Sequence, residues 1–412
     1  MEYGLIGEHL SHSYSCQIHS VIADYTYELR ELKPTELDGF FHTRDFRAIN
    51  VTIPYKQAVI PYLDFISDEA RRIGAVNTVV NRDGRLYGYN TDLAGMRSLA
   101  QRIGIEGKGK KVLIFGTGGT SKTARVLAED MGASQILNVS RSPSDDSISY
   151  ADAARDHADV GIIINTTPAG MYPHIDTQAA SLKPFYKLEA VLDAVYNPLR
   201  SNLILEAQGR GIACEGGLYM LSAQAVAASA LFTGRELNAD DTERAYRHVL
   251  DSKRNIVLIG MPSCGKTGVG KVLSALTGRK FADTDELILR EIGMSISDYF
   301  GKYGERAFRD IESTVIKRLS EENGIIIATG GGTVLREENV RTLKRNGILI
   351  FLDRAPEKLI ATADRPLSRD RKKLLQLYRD RYAIYRAAAD VRVDGNGSME
   401  ETARLVYGEV KR

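Results

Sequence analysis

Asn255-Ile-Val-Leu-Ile259-Gly260-Met-Pro-Ser-Cys-Gly265-Lys266-Thr267 is the stretch whose reading decides the fold. The apolar run 255–259 predicts a buried strand. The residues after it satisfy the phosphate-loop pattern G-x-x-x-x-G-K-[ST] in full. Backbone N–H groups of such a loop can cradle phosphates, Lys266 can reach the β- and γ-phosphates, and Thr267 can hold Mg²⁺. Gly260, Ser263, Cys264, Gly265, Lys266, Thr267 and Gly268 are therefore candidate nucleotide-binding residues. A second loop lies upstream, behind a second apolar run: Lys111-Val-Leu-Ile-Phe115, then Gly116-Thr-Gly118-Gly119-Thr-Ser121. Gly116, Gly118 and Gly119 let the backbone approach a pyrophosphate, with Thr120 and Ser121 in the first turn of the helix that follows. Ser121 stands where the usual dinucleotide fingerprint has its third glycine. One loop suits hydride transfer and the other phosphoryl transfer, so the chain is expected to run two reactions.

The 412 residues suggest two or three domains. A net charge of +2 gives no overall argument for nucleic acid or membrane as partner, and Arg369-Asp-Arg-Lys-Lys373 reads as a solvated helix face. No apolar run approaches the roughly 18 residues that span a bilayer, and the N-terminus lacks a basic stretch followed by an apolar one, so no signal peptide is expected. Cys16, Cys214 and Cys264 form neither a disulfide framework nor a metal spacing, which suits a reducing cytoplasm. Cys264, beside Lys266 at an expected helix N-terminus, is predicted to be the most modification-sensitive of the three, since both neighbours favour thiolate. Small-molecule substrates are the expected partners, and oligomeric state is left open.

Glu2 to Gly7, Tyr25 to Leu32, Arg47 to Ile53 and Ala75 to Val80 read as strands, and Asp83-Gly84 as a hairpin turn. Asp92 to Ile103 reads as a helix with Leu93, Met96 and Leu99 on one face. Lys111 opens a βαβ unit whose second strand runs from Gln135 to Ser140. Strands follow at 160–165 and 190–194, then an apolar helix from Leu218 to Phe232 and another from Asp240 to Leu250. Beyond the polar stretch Asp251-Ser-Lys-Arg254, strands and helices alternate as in a parallel α/β sheet.

The second strand of the βαβ unit ends Ser140-Arg141-Ser142, where an NAD-preferring fold would place an acidic residue. The planar fork of Arg141 suits the 2′-phosphate of NADP instead. Lys56 and Asp92 are a potential ammonium–carboxylate pair. Reduction of a ketone puts negative charge on oxygen, and a nearby lysine can supply the proton.

Ser11-His-Ser13-Tyr-Ser15, Asn50-Val-Thr52-Ile-Pro-Tyr-Lys56, Gly74-Ala-Val-Asn77-Thr and Asn90-Thr-Asp92 precede the first glycine loop in that order. Asn165-Thr-Thr-Pro-Ala-Gly170-Met171, Asp193-Ala-Val-Tyr196-Asn-Pro198 and Gly217-Leu-Tyr-Met-Leu-Ser-Ala-Gln224 follow it. Residues 1–250 thus resemble shikimate dehydrogenase. The resemblance implies that Lys56 and Asp92 are catalytic. It implies that Ser13, Ser15, Asn50, Thr52, Asn77 and Gln224 bind the hydroxyls and carboxylate of shikimate, with Tyr196 nearby. Met171 and Gly217 would flank the nicotinamide of NADP(H). The chain departs from the family at the adenosine-phosphate position, where Ser140 replaces the frequent asparagine and Asp145 and Asp146 follow. Both departures reduce the expected margin of NADP over NAD.

Behind the second loop, Phe281-Ala-Asp283-Thr-Asp285, Gly304-Glu305-Arg-Ala-Phe308-Arg309-Asp-Ile-Glu312, Ala328-Thr-Gly330-Gly331-Gly332, Arg365-Pro-Leu367 and Arg381-Tyr-Ala-Ile-Tyr385 occur in order. Residues 255–412 resemble shikimate kinase. The resemblance places Asp283 with Thr267 near Mg²⁺ and Asp285 at the acceptor hydroxyl. Arg309 and Arg381 would clamp the shikimate carboxylate, Gly330, Gly331 and Gly332 would admit the ring, and Arg365 would approach the transferring phosphoryl from a lid. Ala361-Thr-Ala363 stands where the family usually has a further arginine, which Arg369 or Arg371 could replace.

The expected architecture is α/β throughout. It comprises a substrate domain at 1–104 with 218–250 packed back on it, a Rossmann-like NADP domain at 105–217, a linker at 251–254 and a P-loop kinase domain with a parallel sheet at 255–412. The expected function is NADPH-dependent reduction of 3-dehydroshikimate followed by ATP-dependent phosphorylation of shikimate. The alternatives are quinate/shikimate dehydrogenase activity in the first half, or a non-catalytic regulatory role for one half.

Overall fold

The computed structural model describes residues 1–10, 13–236, 238–360 and 371–411. The chain divides into two units, Met1–Leu250 and Asp251–Arg412. The first unit holds two sheets. β1 (Tyr3–Gly7), β2 (Tyr27–Glu31), β3 (Ala48–Val51), β4 (Phe65–Ile66), β5 (Thr78–Arg82) and β6 (Arg85–Tyr89) are ordered β2-β1-β3-β5-β6-β4. β1 runs parallel to β2 and β3, whereas β5 is antiparallel to β3 and β6. The β5–β6 hairpin turns at Asp83 and Gly84, with φ of 52° and 82°, the two positive values that a type I′ turn requires. The register pairs Asn50 with Thr78 and Thr78 with Tyr89. Asn50, Asn77 and the Asn90-Thr91-Asp92 corner therefore emerge along one edge of this sheet.

β7 (Lys111–Phe115), β8 (Gln135–Ser140), β9 (Ser147–Ser149), β10 (Ile162–Asn165), β11 (Ala190–Asp193) and β12 (Ala213–Glu215) form a second, all-parallel sheet. Its order, β12-β11-β10-β7-β8-β9, is doubly wound and reverses between β7 and β10. Ligands of such sheets sit outside the strand carboxyl ends at that reversal, where the first glycine loop begins. Val112 and Ile114 pack into one apolar layer and Leu113 and Phe115 into another. Burial on both faces explains why this strand reads as continuous apolar sequence without alternation.

Helix Gly217–Thr233 crosses helix Asp92–Arg102 closely at Gly95, where a Cβ would lie 2.6 Å from the Met220 carbonyl oxygen and 3.1 Å from Gln224 Cβ. The missing side chain brings Gln224 up to the sheet edge that carries Asn77 and Asp92.

In the second unit, β13 (Asn255–Ile259), β14 (Phe281–Asp283), β15 (Ile326–Ala328), β16 (Gly347–Asp353) and β17 (Val391–Asp394) are all parallel, in the order β14-β15-β13-β16-β17. The fully buried β13 is central and delivers the second glycine loop to the carboxyl edge. The stretch 251–254 is not an extended linker. Asp251 to Lys253 complete helix Ala239–Lys253, and Arg279 donates to the carbonyls of Asp251 (2.5 Å) and Arg254 (2.7 Å). Arg254 Nη2 donates to Val410 O at 2.6 Å and Lys411 Nζ to Asp251 Oδ2 at 2.5 Å, so distant parts of the second unit bind this polar segment, which composition alone does not reveal. Among the described residues no helix is long and apolar enough to cross a membrane.

Candidate active sites

Lys56 follows β3, and Asp92 opens the helix after β6. Lys56 Nζ donates to Asp92 Oδ2 at 2.6 Å, with side-chain exposures of 17% and 9%. Asn77 Nδ2 donates to Asp92 Oδ1 (2.9 Å) and Thr91 Oγ1 (3.1 Å) and stands 3.5 Å from Gln224 Oε1. Asn77 Oδ1 accepts from Thr91 N (2.7 Å) and Thr78 Oγ1 (3.0 Å). An ionised carboxylate only accepts. Asn77 must then turn its amide nitrogen toward Asp92, which leaves its Oδ1 to accept from Thr91 N.

Asn50 lies deeper. Its Oδ1 accepts from Tyr27 OH (2.7 Å), and its Nδ2 donates to Thr78 Oγ1 (3.0 Å) and Asn77 O (3.3 Å). Tyr27 in turn stacks on His19 at 3.8 Å, and burial pushes His19 down to about 3, so this ring is neutral. Thr91, Thr78 and Tyr27 carry no role in the sequence reading, although Thr78 and Thr91 lie inside motifs quoted above. Ser13 Oγ donates to Ser15 Oγ at 3.0 Å, and the rings of Tyr14 and Tyr196 meet edge-on at 5.3 Å, which brings Tyr196 to this segment. Thr52 stands outside the network. Its amide bonds Ile6 O, and its methyl packs at Gly7.

In the first glycine loop Gly116 has φ 106°, and a Cβ there would sit 2.9 Å from Thr166 Oγ1. Gly118 caps helix Gly119–Asp130, and the space where side chains on Gly118 and Gly119 would lie is open. Ser121 replaces the third glycine without obstructing the loop, because its hydroxyl folds back onto the Gly118 carbonyl at 2.6 Å. Thr120 follows Gly119 in the first turn. Ser140 ends β8, and Arg141 is exposed just beyond it. Met171 is exposed on the loop after β10. Gly217 is held by packing: a Cβ would come within 2.2 Å of the Ala194 carbonyl oxygen.

The second glycine loop turns through positive φ at Gly260 (147°), Ser263 (62°) and Gly265 (99°). A left-handed serine is strained, and such strain clusters at ligand clamps. Gly265 caps helix Lys266–Thr277, and Lys266 Nζ donates to the carbonyls of Gly260 and Met261, both at 2.9 Å. Gly268, one turn on, packs against Met399. Thr267 Oγ1 donates to Asp283 Oδ2 at 2.6 Å, while Asp283 Oδ1 caps the next helix through Asp285 N at 2.9 Å. One hydroxyl and one carboxylate beside a phosphate loop suit Mg²⁺, which keeps waters and substrate phosphates among its ligands.

Gly330, Gly331 and Gly332 follow β15 and have Asp285, Pro262 and Arg309 close around them. A Cβ on Gly330 would lie 2.7 Å from Asp285 Oδ1, one on Gly331 2.9 Å from Pro262, and one on Gly332 2.2 Å from Arg309 Nη2. Arg309 follows the break at Gly304 (φ 83°) in the helical stretch Ile296–Ser320. Its Nη1 donates to fully buried Glu312 at 2.7 Å, and Glu312 Oε1 accepts from Thr333 Oγ1 at 2.8 Å. Removing one member of such a buried pair costs about 3–5 kcal/mol, so Glu312 holds Arg309 in place. Arg381 Nη1 donates to Gly331 O at 3.0 Å, and Tyr385 OH donates to the same oxygen. Glu312, Thr333 and Tyr385 are supporting residues with no role in the sequence reading. Arg365 and Arg369 lie outside the described residues.

Burial argues against the reactivity expected of Cys264. Its thiol is 1% exposed and belongs to the apolar core of the unit, 3.8 Å from Lys266 Nζ. The loop turns this side chain inward, where it acts as a small apolar filler. Cys16 and Cys214 are half-buried, and burial pushes both thiols up, Cys214 to about 11. Native-state alkylation followed by mass mapping is expected to label Cys264 last; prior labelling of Cys264 would mean that the loop opens.

The folds and the side chains gathered on them define a doubly wound, dinucleotide-type unit with a lysine–carboxylate pair, followed by a P-loop unit with an acidic and arginine-lined acceptor site. Comparison with known proteins gives the family. Residues 5–79 match the model for the shikimate dehydrogenase substrate binding domain, and residues 262–410 match that for shikimate kinase. The NADP(+) shikimate dehydrogenase of Clostridium perfringens strain SM101 is 34% identical over 274 residues, which cover 60% of this chain and 97% of the relative. Shikimate dehydrogenase 1 from Peptoclostridium difficile matches with a TM-score of 0.56 at 33% identity, covering 60% of this chain and 98% of that one. The Thermus thermophilus enzyme, solved with NADP(H) and shikimate, matches with a TM-score of 0.55 at 29% identity over the same shares. The chain belongs to the shikimate dehydrogenase family and carries a shikimate kinase domain after it, as a bifunctional enzyme of the shikimate pathway.

Proposed function

We propose that the first unit reduces 3-dehydroshikimate to shikimate with NADPH and that the second transfers phosphate from ATP, with Mg²⁺, to the 3-hydroxyl so formed. The observation that carries the reading is the 2.6 Å Lys56–Asp92 pair at the edge of a polar network containing Asn77 and Gln224. NADPH supplies the hydride; Lys56 donates the proton to the substrate oxygen, and Asp92 orients the ammonium. Ser13, Ser15, Thr52 and Tyr196 bind the ring substituents. Asn50, whose amide protons are both engaged within the protein, positions Asn77 and Thr78. We assign 1–104 with 218–250 to the substrate domain and 105–217 to the cofactor domain, with Met171 and Gly217 beside the nicotinamide.

In the second unit, Lys266 and the loop amides hold the phosphates, and Thr267 and Asp283 hold the metal. Asp285 takes the hydroxyl proton, and Arg309 and Arg381 bind the carboxylate bidentately. Three free cysteines suit a cytoplasmic setting. Incubation with dehydroshikimate, NADPH and ATP, followed by mass, should yield shikimate 3-phosphate. Accumulation of shikimate alone would remove the kinase half of the reading. Faster oxidation of quinate than of shikimate would move the first half to a quinate dehydrogenase.

Arg141→Ala should weaken NADPH far more than NADH, because only NADPH carries the 2′-phosphate. Loss of one charge-assisted contact is worth about 1.5–3 kcal/mol. Steady-state KM values for the two cofactors measure this, and equal weakening would make Arg141 structural.

A further inference from the structure

Arg354 is the first residue beyond β16, at the sheet edge where β13 hands over to the second glycine loop. The backbone on either side of it is pinned. Gly395 N donates to Asp353 O at 2.9 Å, and Ala355 N donates to Asn396 Oδ1 at 2.9 Å. From this fixed base the guanidinium reaches across to the loop, with Nη1 3.7 Å from where a Cβ on Gly265 would be. Gly265 caps the helix whose N-terminal amides face the phosphate site.

Among the described residues no anion pairs with this guanidinium and no hydrogen bond holds it, and its Nε is buried without an acceptor. The adjacent carboxylate is already engaged: Asp353 Oδ2 accepts from Arg392 Nε at 2.7 Å and from Tyr382 OH at 3.1 Å. The neighbouring Asp394 accepts from the amide and side chain of Asn396. Most arginines around it differ in this respect. Arg309 is paired with Glu312, Arg392 with Asp353 and Arg381 with a backbone carbonyl. A rigidly mounted cation against a phosphate loop, unpaired among the described residues, is complementary to a polyphosphate, whose oxygens match the planar guanidinium fork.

We propose that Arg354 is a nucleotide-binding residue of the kinase unit, gripping the polyphosphate chain from the Gly265 side of the loop. The proposal rests on the kinase reading above and adds a residue to it. A guanidinium can also stack on a purine base, and the test separates the two uses.

Binding of MgADP, inorganic tripolyphosphate and adenosine is measured by calorimetry on the full-length chain and on its Arg354→Met and Arg354→Lys variants. Arg354→Met should weaken tripolyphosphate and MgADP roughly tenfold to a hundredfold, as expected for loss of a charged contact. Adenosine binding should not change. Arg354→Lys should recover part of the tripolyphosphate affinity by restoring the charge. In kinetics, KM for ATP should rise while KM for shikimate does not. Unchanged dehydrogenase turnover and a native unfolding midpoint show that the variants are folded. Unchanged tripolyphosphate affinity in Arg354→Met, or a loss confined to adenosine, overturns the proposal. Failure of the unaltered chain to bind either MgADP or tripolyphosphate sinks the kinase reading first and the proposal with it.

Discussion

Lys56→Met should lower dehydrogenase turnover by about 10²–10⁴-fold, the range expected when a positioned proton donor is removed. The size of the effect follows from the site. Lys56 Nζ lies 2.6 Å from Asp92 Oδ2, and the other carboxylate oxygen is held by Asn77. The ammonium is therefore positioned before substrate arrives. Methionine keeps the length of the stem and removes the proton and the charge. The loss should fall on kcat, with a smaller change in KM, because the proposed function assigns substrate binding to several other side chains. A native unfolding transition serves as the folding control for the first unit, and kinase turnover, which belongs to the second unit, should stay near the unaltered value. Dehydroshikimate reduction within a factor of three of the unaltered chain would remove Lys56 from the mechanism.

The two glycine loops were legible because each stands between a strand buried on both faces and a helix, a local pattern with a direct physical cause. Strand Gln135–Ser140 was read with the bounds it has in the structure. The strands that escaped notice are β4, β9, β12 and β14, of two or three residues each. Segments that short show no alternation, and their existence depends on a neighbour supplied from elsewhere in the chain. The start of β5 was read too early, at Ala75 instead of Thr78. Gly74 ends a helix at φ 70°, and Asn77 then commits its side chain to Thr91 before the ladder begins. The site shows the same division. Residues in contiguous motifs could be named from the sequence, whereas Tyr27 lies in none of them, and Tyr385, although it ends one, received no role; they act through contacts at separations of 23 and 54 residues. Cys264 shows a further limit: its neighbours in sequence argued for a reactive thiol, but the positive φ of Gly265 and Ser263 turns the loop so that the sulfur faces the core.

Asp285→Asn should reduce kinase turnover by about 10²–10⁴-fold, since it replaces a carboxylate base by a group that cannot take the hydroxyl proton. The structure places this carboxylate where a side chain on Gly330 would have to go, 2.7 Å from the added carbon. Two nearby substitutions therefore separate chemistry from binding. Gly332→Ala puts a methyl group 2.2 Å from Arg309 Nη2. It should displace the carboxylate clamp, raise KM for shikimate, and leave ATP binding near its original strength. Asp285→Asn preserves shape, so its effect should appear in kcat with shikimate binding largely retained. On the proposed assignment the phosphates are held by Lys266 and the loop amides, so both variants should still bind MgADP. Measuring shikimate affinity directly, by quenching or calorimetry, alongside single-turnover phosphorylation distinguishes the two. If Asp285→Asn lost shikimate affinity in proportion to its loss of rate, Asp285 would be a binding residue and the proton would have to leave by another route.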